Sequence, residues 1–241
     1  MKTLRSPTSV TPSLNSIPFL AAGADGSDRL LTDRQREALA RIGTRERVSS
    51  RVRIYREDSP ADSIYAVVDG AVKAYRELPS GKRTVNAFLF SRDLFGLAEN
   101  GRYLNTAESI THVTFYRFPL VDLIPLIKRD ADLQFQFLVK VTHELRESQR
   151  RAVLVGRRDA VGRLAMFLVA MRDHAGRERR NDGEISLPMA RTDIADFLGL
   201  SRETMSRATA QLERSGIVTF KDRRTARVLD TGRLTKLASA V

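Results

Sequence analysis

Residues Arg191 to Leu212, RTDIADFLGLSRETMSRATAQL, constrain the fold more tightly than any other stretch of the chain. Read as two helices joined by a tight turn, they put Ile194, Leu198, Leu200, Met205 and Ala208 where such helices bury side chains. Ala195 stands where a larger side chain would separate the helices, and Ser201 can cap the second one. Gly199 stands at the turn, where the backbone needs a positive φ that glycine adopts without strain. Two antiparallel core helices would need none of these constraints, so the segment reads as a helix-turn-helix. Its second helix leaves Arg202, Glu203, Ser206 and Arg207 away from the buried side. Glu203 and Arg207 are four apart and can pair on one face. Such a pair suits a G·C base pair: arginine donates twice to guanine O6/N7, and glutamate accepts from cytosine N4. Ser206 is short enough to let the helix approach a thymine methyl.

The charge points to the same end of the chain. Of 41 basic residues 34 are arginines, the side chain suited to bidentate phosphate and guanine contacts. The formal net charge of +12 is unevenly spread: residues 1–145 hold 21 basic and 17 acidic residues, residues 146–241 hold 20 and 12. A shorter piece with the larger excess implies a polyanionic partner there. An arginine-rich proteome would give the same total, so charge supports the motif without replacing it.

Upstream, the pattern changes several times. Residues 1–28 are rich in Ser, Thr, Pro and Gly without apolar period and read as a tail. Leu31 to Ile42 reads as a short helix capped by Thr32, with Ala38, Leu39 and Ile42 in one stripe. From Val48 to about Phe118 short strands alternate with turns: Ser63 to Val68, closed by Asp69-Gly70; Ala71 to Leu78; Arg83 to Phe90; Ile110 to Phe118. Strands this short and this regular indicate an antiparallel roll or jelly roll. After Pro119 and Pro125 the period becomes helical. Leu138, Val141, Leu145, Ser148, Ala152 and Val155 recur at steps of three and four, the seam of a coiled coil, here expected to join two copies. Val161 to Arg172 reads as a buried helix, His174 to Glu184 as a polar loop and Ile185 to Leu187 as a strand. Ile217 to Phe220 and Ala226 to Leu229 flank Lys221-Asp222-Arg223-Arg224 as a basic wing.

Other chemistries lack their residues. The chain has no cysteine, which removes disulfides, thiolate nucleophiles, cysteine-bound zinc and cysteine-held iron–sulfur clusters. His112, His143 and His174 lie about thirty residues apart and form no chelating pair. No Gly-rich phosphate loop or nucleophile–base pair is present, so neither an enzyme nor a cofactor or metal is expected. The longest apolar run, Leu164 to Met171, is far short of the roughly 20 residues a spanning helix needs. MKTLRSPTSV lacks the apolar stretch of a signal peptide, so no membrane association and a cytoplasmic location are expected.

Taken together, these motifs resemble the CRP/FNR family of bacterial transcription regulators over almost the full length after the tail. In the first half the matching residues are Ile54-Tyr55-Arg56, Ala61-Asp62, Tyr65-x-Val67-Val68-x-Gly70-x-Val72-Lys73, Gly81-Lys82-Arg83 and Asp93-x-Phe95-Gly96; in the second, the helix-turn-helix. The resemblance implies an α+β chain. Its parts are a tail (1–28), an antiparallel, cyclic-nucleotide-binding-like β-roll (29–128), a dimerisation helix (129–158) and a winged helix-turn-helix (159–241). Glu203, Ser206 and Arg207 match the Glu-x-x-Ser-Arg pattern of the FNR and FixK branch, which implies base reading by these three. Arg191, Ser201, Arg202 and Thr204 fall where the family contacts phosphates. The implied dimer seam is Leu138, Val141, Leu145 and Ala152. The implied partners are double-stranded DNA, a second copy and RNA polymerase, and the implied site is an inverted repeat such as TTGAT-N4-ATCAA, bound by an activator.

The same comparison bears on ligands. Cyclic-nucleotide binders of the family place a Glu directly after the glycine that matches Gly96; here Leu97 follows, and Glu99 is two residues late. Tyr103-Leu104 stand about where an Arg-Ser pair would hold the cyclic phosphate, with Arg102 adjacent. Cyclic AMP is therefore not expected. The oxygen-sensing cluster of FNR cannot form without cysteine, and His112 is the sole haem-ligand candidate in the roll. The remaining branch, FixK-like, acts without a bound effector. Two alternatives stand beside it: the same DNA reader gated by an unidentified ligand in the roll, and a roll that serves mainly as a protein-interaction module.

Overall fold

The computed structural model describes residues 31–156, 159–177 and 183–239; the expected tail, 1–28, lies outside them. The described chain begins with α1 (Asp33–Ile42), opened by a reciprocal cap: Thr32 Oγ1 accepts from the Gln35 amide at 3.2 Å, and Gln35 Oε1 accepts from the Thr32 amide at 3.0 Å. Strands follow as β1 (Thr44–Val48), β2 (Arg53–Tyr55), β3 (Ser63–Asp69), β4 (Val72–Glu77), β5 (Arg83–Leu89), β6 (Leu94–Phe95), β7 (Ala98–Glu99), β8 (Arg102–Tyr103), β9 (Thr106–Ser109) and β10 (Val113–Pro119). They build two antiparallel sheets, ordered β1-β10-β3-β6 and β2-β9-β4-β5, with β7 and β8 as a small hairpin.

Alternation along β3 and β10 sends apolar side chains both ways. Tyr65, Val67, Val113 and Phe115 point into the roll, where they meet Tyr55, Phe95 and Tyr103. Ala66, Tyr116 and Phe118 point outward, against Leu39 of α1 and the helices that follow the roll. Those helices are α2 (Leu120–Arg129) and α3 (Ala131–Gly156), parted at Asp130. The Asp130 carboxylate accepts from the Leu133 amide at 2.9 Å and from Gln35 Nε2 at 3.1 Å, so one side chain starts α3 and ties it to α1. Farther along α3, Lys140 reaches Asp93 at 3.5 Å.

The C-terminal part comprises α4 (Ala160–Arg177), β11 (Glu184–Ser186), α5 (Arg191–Leu198), α6 (Arg202–Arg214), β12 (Val218–Phe220), β13 (Thr225–Val228) and α7 (Thr231–Ser239). The short strands form one sheet, β11-β13-β12. Leu164, Leu168, Ile185, Ile194, Leu198, Leu212 and Leu234 make its core.

Four expectations need correcting. The strand expected from Ile110 starts at Val113. Ile110 and Thr111 instead turn about Ala71, whose carbonyl accepts from Ile110 N at 2.8 Å and whose amide donates to Thr111 Oγ1 at 3.0 Å. His112 consequently sits exposed in that bend and not in a strand. The helix expected to end at Arg172 continues to Arg177, taking His174 out of the expected loop; residues 178–182 lie outside the described ones. Helix α7 was not anticipated, although Asp230 caps it through the Arg233 amide at 2.8 Å and Leu234 is fully buried.

Gly70, at the turn from β3 to β4, has φ +92°, and a Cβ there would lie 2.3 Å from the His112 carbonyl oxygen. Gly70→Ala is expected to destabilise the protein by about 1–3 kcal/mol through left-handed strain and this backbone clash, measured by urea unfolding.

Candidate nucleic-acid interface

Helix α5 ends because Gly199 adopts φ 64°, ψ 34°, the left-handed conformation expected of it. The Leu200 amide then donates to the Ala195 carbonyl at 2.9 Å, and Arg163 Nη1 of α4 donates to the Leu198 carbonyl at 3.0 Å, satisfying the C-terminal end of α5. Ile194, Ala195, Leu198, Met205 and Ala208 are buried, and Leu200 packs at the edge of the same core. Thr209 is buried as well, a residue the pattern alone did not single out; its hydroxyl donates to the Met205 carbonyl at 2.9 Å, which makes its burial tolerable.

Ser201 caps α6, its Oγ accepting from the Thr204 amide at 3.1 Å and lying 2.8 Å from Thr204 Oγ1. These two expected phosphate contacts are thus one hydrogen-bonded unit at the positive end of the helix. Arg202, Glu203, Ser206 and Arg207 all face solvent on the other side. Arg207 Nη2 lies 3.8 Å from Glu203 Oε1, with both side chains more than two-thirds exposed. An exposed pair at that distance holds its partners weakly, leaving both heads free to exchange partners. Arg191, the first residue of α5, lies over the Phe220 ring at 5.1 Å, which pins it between α5 and the wing strand β12. At the wing tip the Arg224 amide donates to Asp222 Oδ1 at 2.6 Å, and this bond holds the Asp222 carboxyl below its usual range. Lys221, also at the tip, engages Glu184, while Arg223 and Arg224 are exposed.

On α5 itself, burial raises the Asp196 carboxyl above its ordinary range, and the charge of Asp193 adds to the effect.

Of the seam residues, Leu138, Val141 and Leu145 are 61%, 43% and 58% exposed, large apolar side chains that the described residues leave largely open, and Ala152 is exposed beside them. Phe135 and Val153, which the heptad reading did not include, are equally uncovered. Val155 departs from the stripe. It packs against the C-terminal core, with Cγ1 3.3 Å from where a Cβ on Gly199 would stand.

Inside the roll, Tyr103 is 2% exposed, stacks on Tyr55 at 4.0 Å and donates to the Ser63 carbonyl at 3.0 Å. Burial pushes the Tyr55 and Tyr65 phenols well above their usual range. Arg102 points outward and holds the Asp58 carbonyl, and Glu99 is exposed opposite it on β7. At the mouth, an opening of about 430 Å³ is lined by Glu46, Arg53, Asp62 and Arg117 among others. Among the described residues no group of three or more His, Cys, Asp or Glu could hold a metal ion, and no helix is long and apolar enough to cross a membrane.

Residues 162–237 match the Crp-like helix-turn-helix domain, and residues 45–130 match the cyclic nucleotide-binding domain. The chain is 35% identical over 204 residues to the transcriptional activatory protein AadR of Rhodopseudomonas palustris, covering 85% of each chain. It is 32% identical over 199 residues to the nitrogen fixation regulation protein FixK of Bradyrhizobium diazoefficiens, covering 83% of this chain and 84% of that one. In three dimensions it is similar to FixK2 from Bradyrhizobium japonicum, with a TM-score of 0.76 and 34% identity over 83% of this chain and 99% of that one.

The cap at Ser201 has a measurable share in this arrangement. Ser201→Ala is expected to lower stability by about 1 kcal/mol, because the Thr204 amide loses its acceptor, whereas Ser201→Asp should keep it; thermal unfolding of both variants checks this.

Proposed function

The chain belongs to the CRP/FNR family of transcription regulators, on its FixK branch, and from that premise we propose that it binds inverted repeats of TTGAT type as a homodimer and activates transcription. That it is a DNA-binding regulator follows from the family; the residue roles, the dimer and the site are our reading. One observation carries it: α6 presents Arg202, Glu203, Ser206 and Arg207 to solvent on one face, beside a capped helix start and a basic wing. In this reading Arg207 donates to guanine, Glu203 accepts from the paired cytosine, and Ser206 sits against the leading thymines. Arg191, Ser201, Arg202 and Thr204 hold phosphates.

We divide the chain into the tail (1–28), roll (29–128), dimerisation helix (129–158) and winged helix-turn-helix (159–241). The uncovered Phe135, Leu138, Val141 and Leu145 support the dimer, since water on four large apolar side chains in one stripe is costly. The side chains near the expected phosphate position support a roll that works without cyclic AMP: Tyr103 is buried against Tyr55, and Arg102 faces outward onto the Asp58 carbonyl. RNA polymerase is the expected protein partner of an activator, the cytoplasm its location, and we assign it no catalytic activity.

Two measurements test this. Arg207→Ala is expected to cost on the order of 1–3 kcal/mol per half-site and to relax preference at the G·C pair alone. Arg191→Ala should weaken all duplexes alike and flatten the salt slope by about one unit. Uniform weakening by Arg207→Ala would move the base-reading role to another residue, Arg202 first.

Leu145→Glu is expected to give monomers in sedimentation and to abolish specific binding, because one half-site alone supplies too little affinity. A dimeric, DNA-competent Leu145→Glu protein would contradict the seam.

A further inference from the structure

The roll and the DNA-reading part meet across a contact in which one buried cation faces two carboxylates. Lys73 stands on β4 with only 11% of its side chain exposed. Its Nζ lies 3.3 Å from Glu108 Oε1, directly across the ladder on β9, and donates to Asp193 Oδ1 on α5 at 3.0 Å. Glu108 and Asp193 are themselves 17% and 18% exposed, so none of the three groups is well served by water. Apolar side chains surround the bridge. Phe88, across the other ladder from Lys73, has its ring 5.1 Å from Phe197 of α5 and 6.1 Å from Phe167 of α4. Arg151 of α3 lies over Phe197 at 5.2 Å. Helix α5 is therefore gripped by β4, β5 and α3 together, with Glu108 of β9 holding the lysine from behind.

The two kinds of contact do different work. Packing of phenylalanines is non-directional and tolerates sliding. A buried ammonium between two carboxylates fixes direction and register, because any slide leaves a charge without its partner. Gly199 sets α6 rigidly on α5, so an orientation fixed at Asp193 is passed on to Arg207. We propose that Lys73 is a positioning residue for DNA reading: the Glu108–Lys73–Asp193 bridge sets the angle at which the roll presents α6, and through it the half-site spacing that a dimer accepts. The spacing part rests on the dimeric, inverted-repeat reading above. Lys73 touches no base in this account. Its removal leaves Glu108 and Asp193 opposed without a cation between them, and the reading part loses its fixed angle to the roll while its own fold persists.

The absence of cysteine gives a clean test in the full chain. Arg47→Cys on β1 and Arg214→Cys at the end of α6, both exposed, take two nitroxide labels. Labelled chains diluted into an excess of unlabelled chains report the roll-to-reader distance within one copy. The otherwise native chain should give one narrow distance distribution, and both Lys73→Met and the isosteric Asp193→Asn should broaden it. Binding is then measured on TTGAT repeats with spacers of three, four and five base pairs. One added base pair turns a half-site by roughly 35°. The unmodified protein is expected to prefer its best spacer by roughly tenfold, and both variants to bind all three within about threefold, with base preference inside each half-site unchanged. A residue with a merely structural role would lower the melting temperature and weaken the three duplexes in parallel, leaving their ratio intact. Distributions that stay narrow in both variants, or a spacer ratio that survives, would overturn the proposal. An unmodified protein that binds no inverted repeat would overturn the dimeric reading instead, and the distance distributions would then decide the bridge on their own.

Discussion

Two strands of the roll, β3 and β10, are apolar on both faces, and much of the architecture is an answer to that. Tyr65, Val67 and Phe115 need an interior, supplied by Tyr55, Phe95 and Tyr103; Ala66, Tyr116 and Phe118 need a second cover, supplied by α1, α2 and the start of α3. Burying large aromatic side chains on each side contributes on the order of 2–3 kcal/mol apiece, enough to hold a helix against a sheet. The long helix is thereby anchored at one end by the roll's own need for cover. Farther along, α3 carries an apolar stripe that the described residues leave open.

The reading helix depends on the opposite economy. Its buried side is fixed by Met205, Ala208, Thr209 and Leu212, while its outer side carries charges that bind each other only loosely. Loose pairing suits a surface that must trade its internal contacts for contacts with a polyanion. Arg191 is handled differently: its guanidinium is already oriented by Phe220, so less freedom is lost when it meets a phosphate.

How much of this was legible depended on the range of the interactions. The helix-turn-helix could be read residue by residue because its constraints lie within twenty-two positions and one of them, the positive φ of Gly199, admits almost no other residue. The longer strands β3, β4 and β5 were legible for the same local reason; β1, β2 and β6 to β9, mostly two to four residues each, were not assigned, and at Ile110–His112 a turn about Ala71 overrides β propensity. Helix α7 has a local signal as well, Asp230 followed by Leu234 and Leu237 at helical spacing. Long-range facts left no trace. Lys73 stood in the sequence only as part of a matching strand motif, and nothing local to it points to Asp193, 120 residues away, which the fold brings against it. Val155 reads as one more seam position until the core of the reading part claims it.

Helix α3 is held near Lys140 by Asp93 of the roll and near Arg151 by Phe197 of the reading part, with regular helix between. Two grips on one rigid rod make its length a gauge. Each inserted residue would lengthen the rod by about 1.5 Å and twist one grip against the other by roughly 100°. Evolution can therefore vary the letters of this segment far more freely than their number: its outer positions are open to substitution, while a single codon gained or lost between the grips would misalign both ends at once.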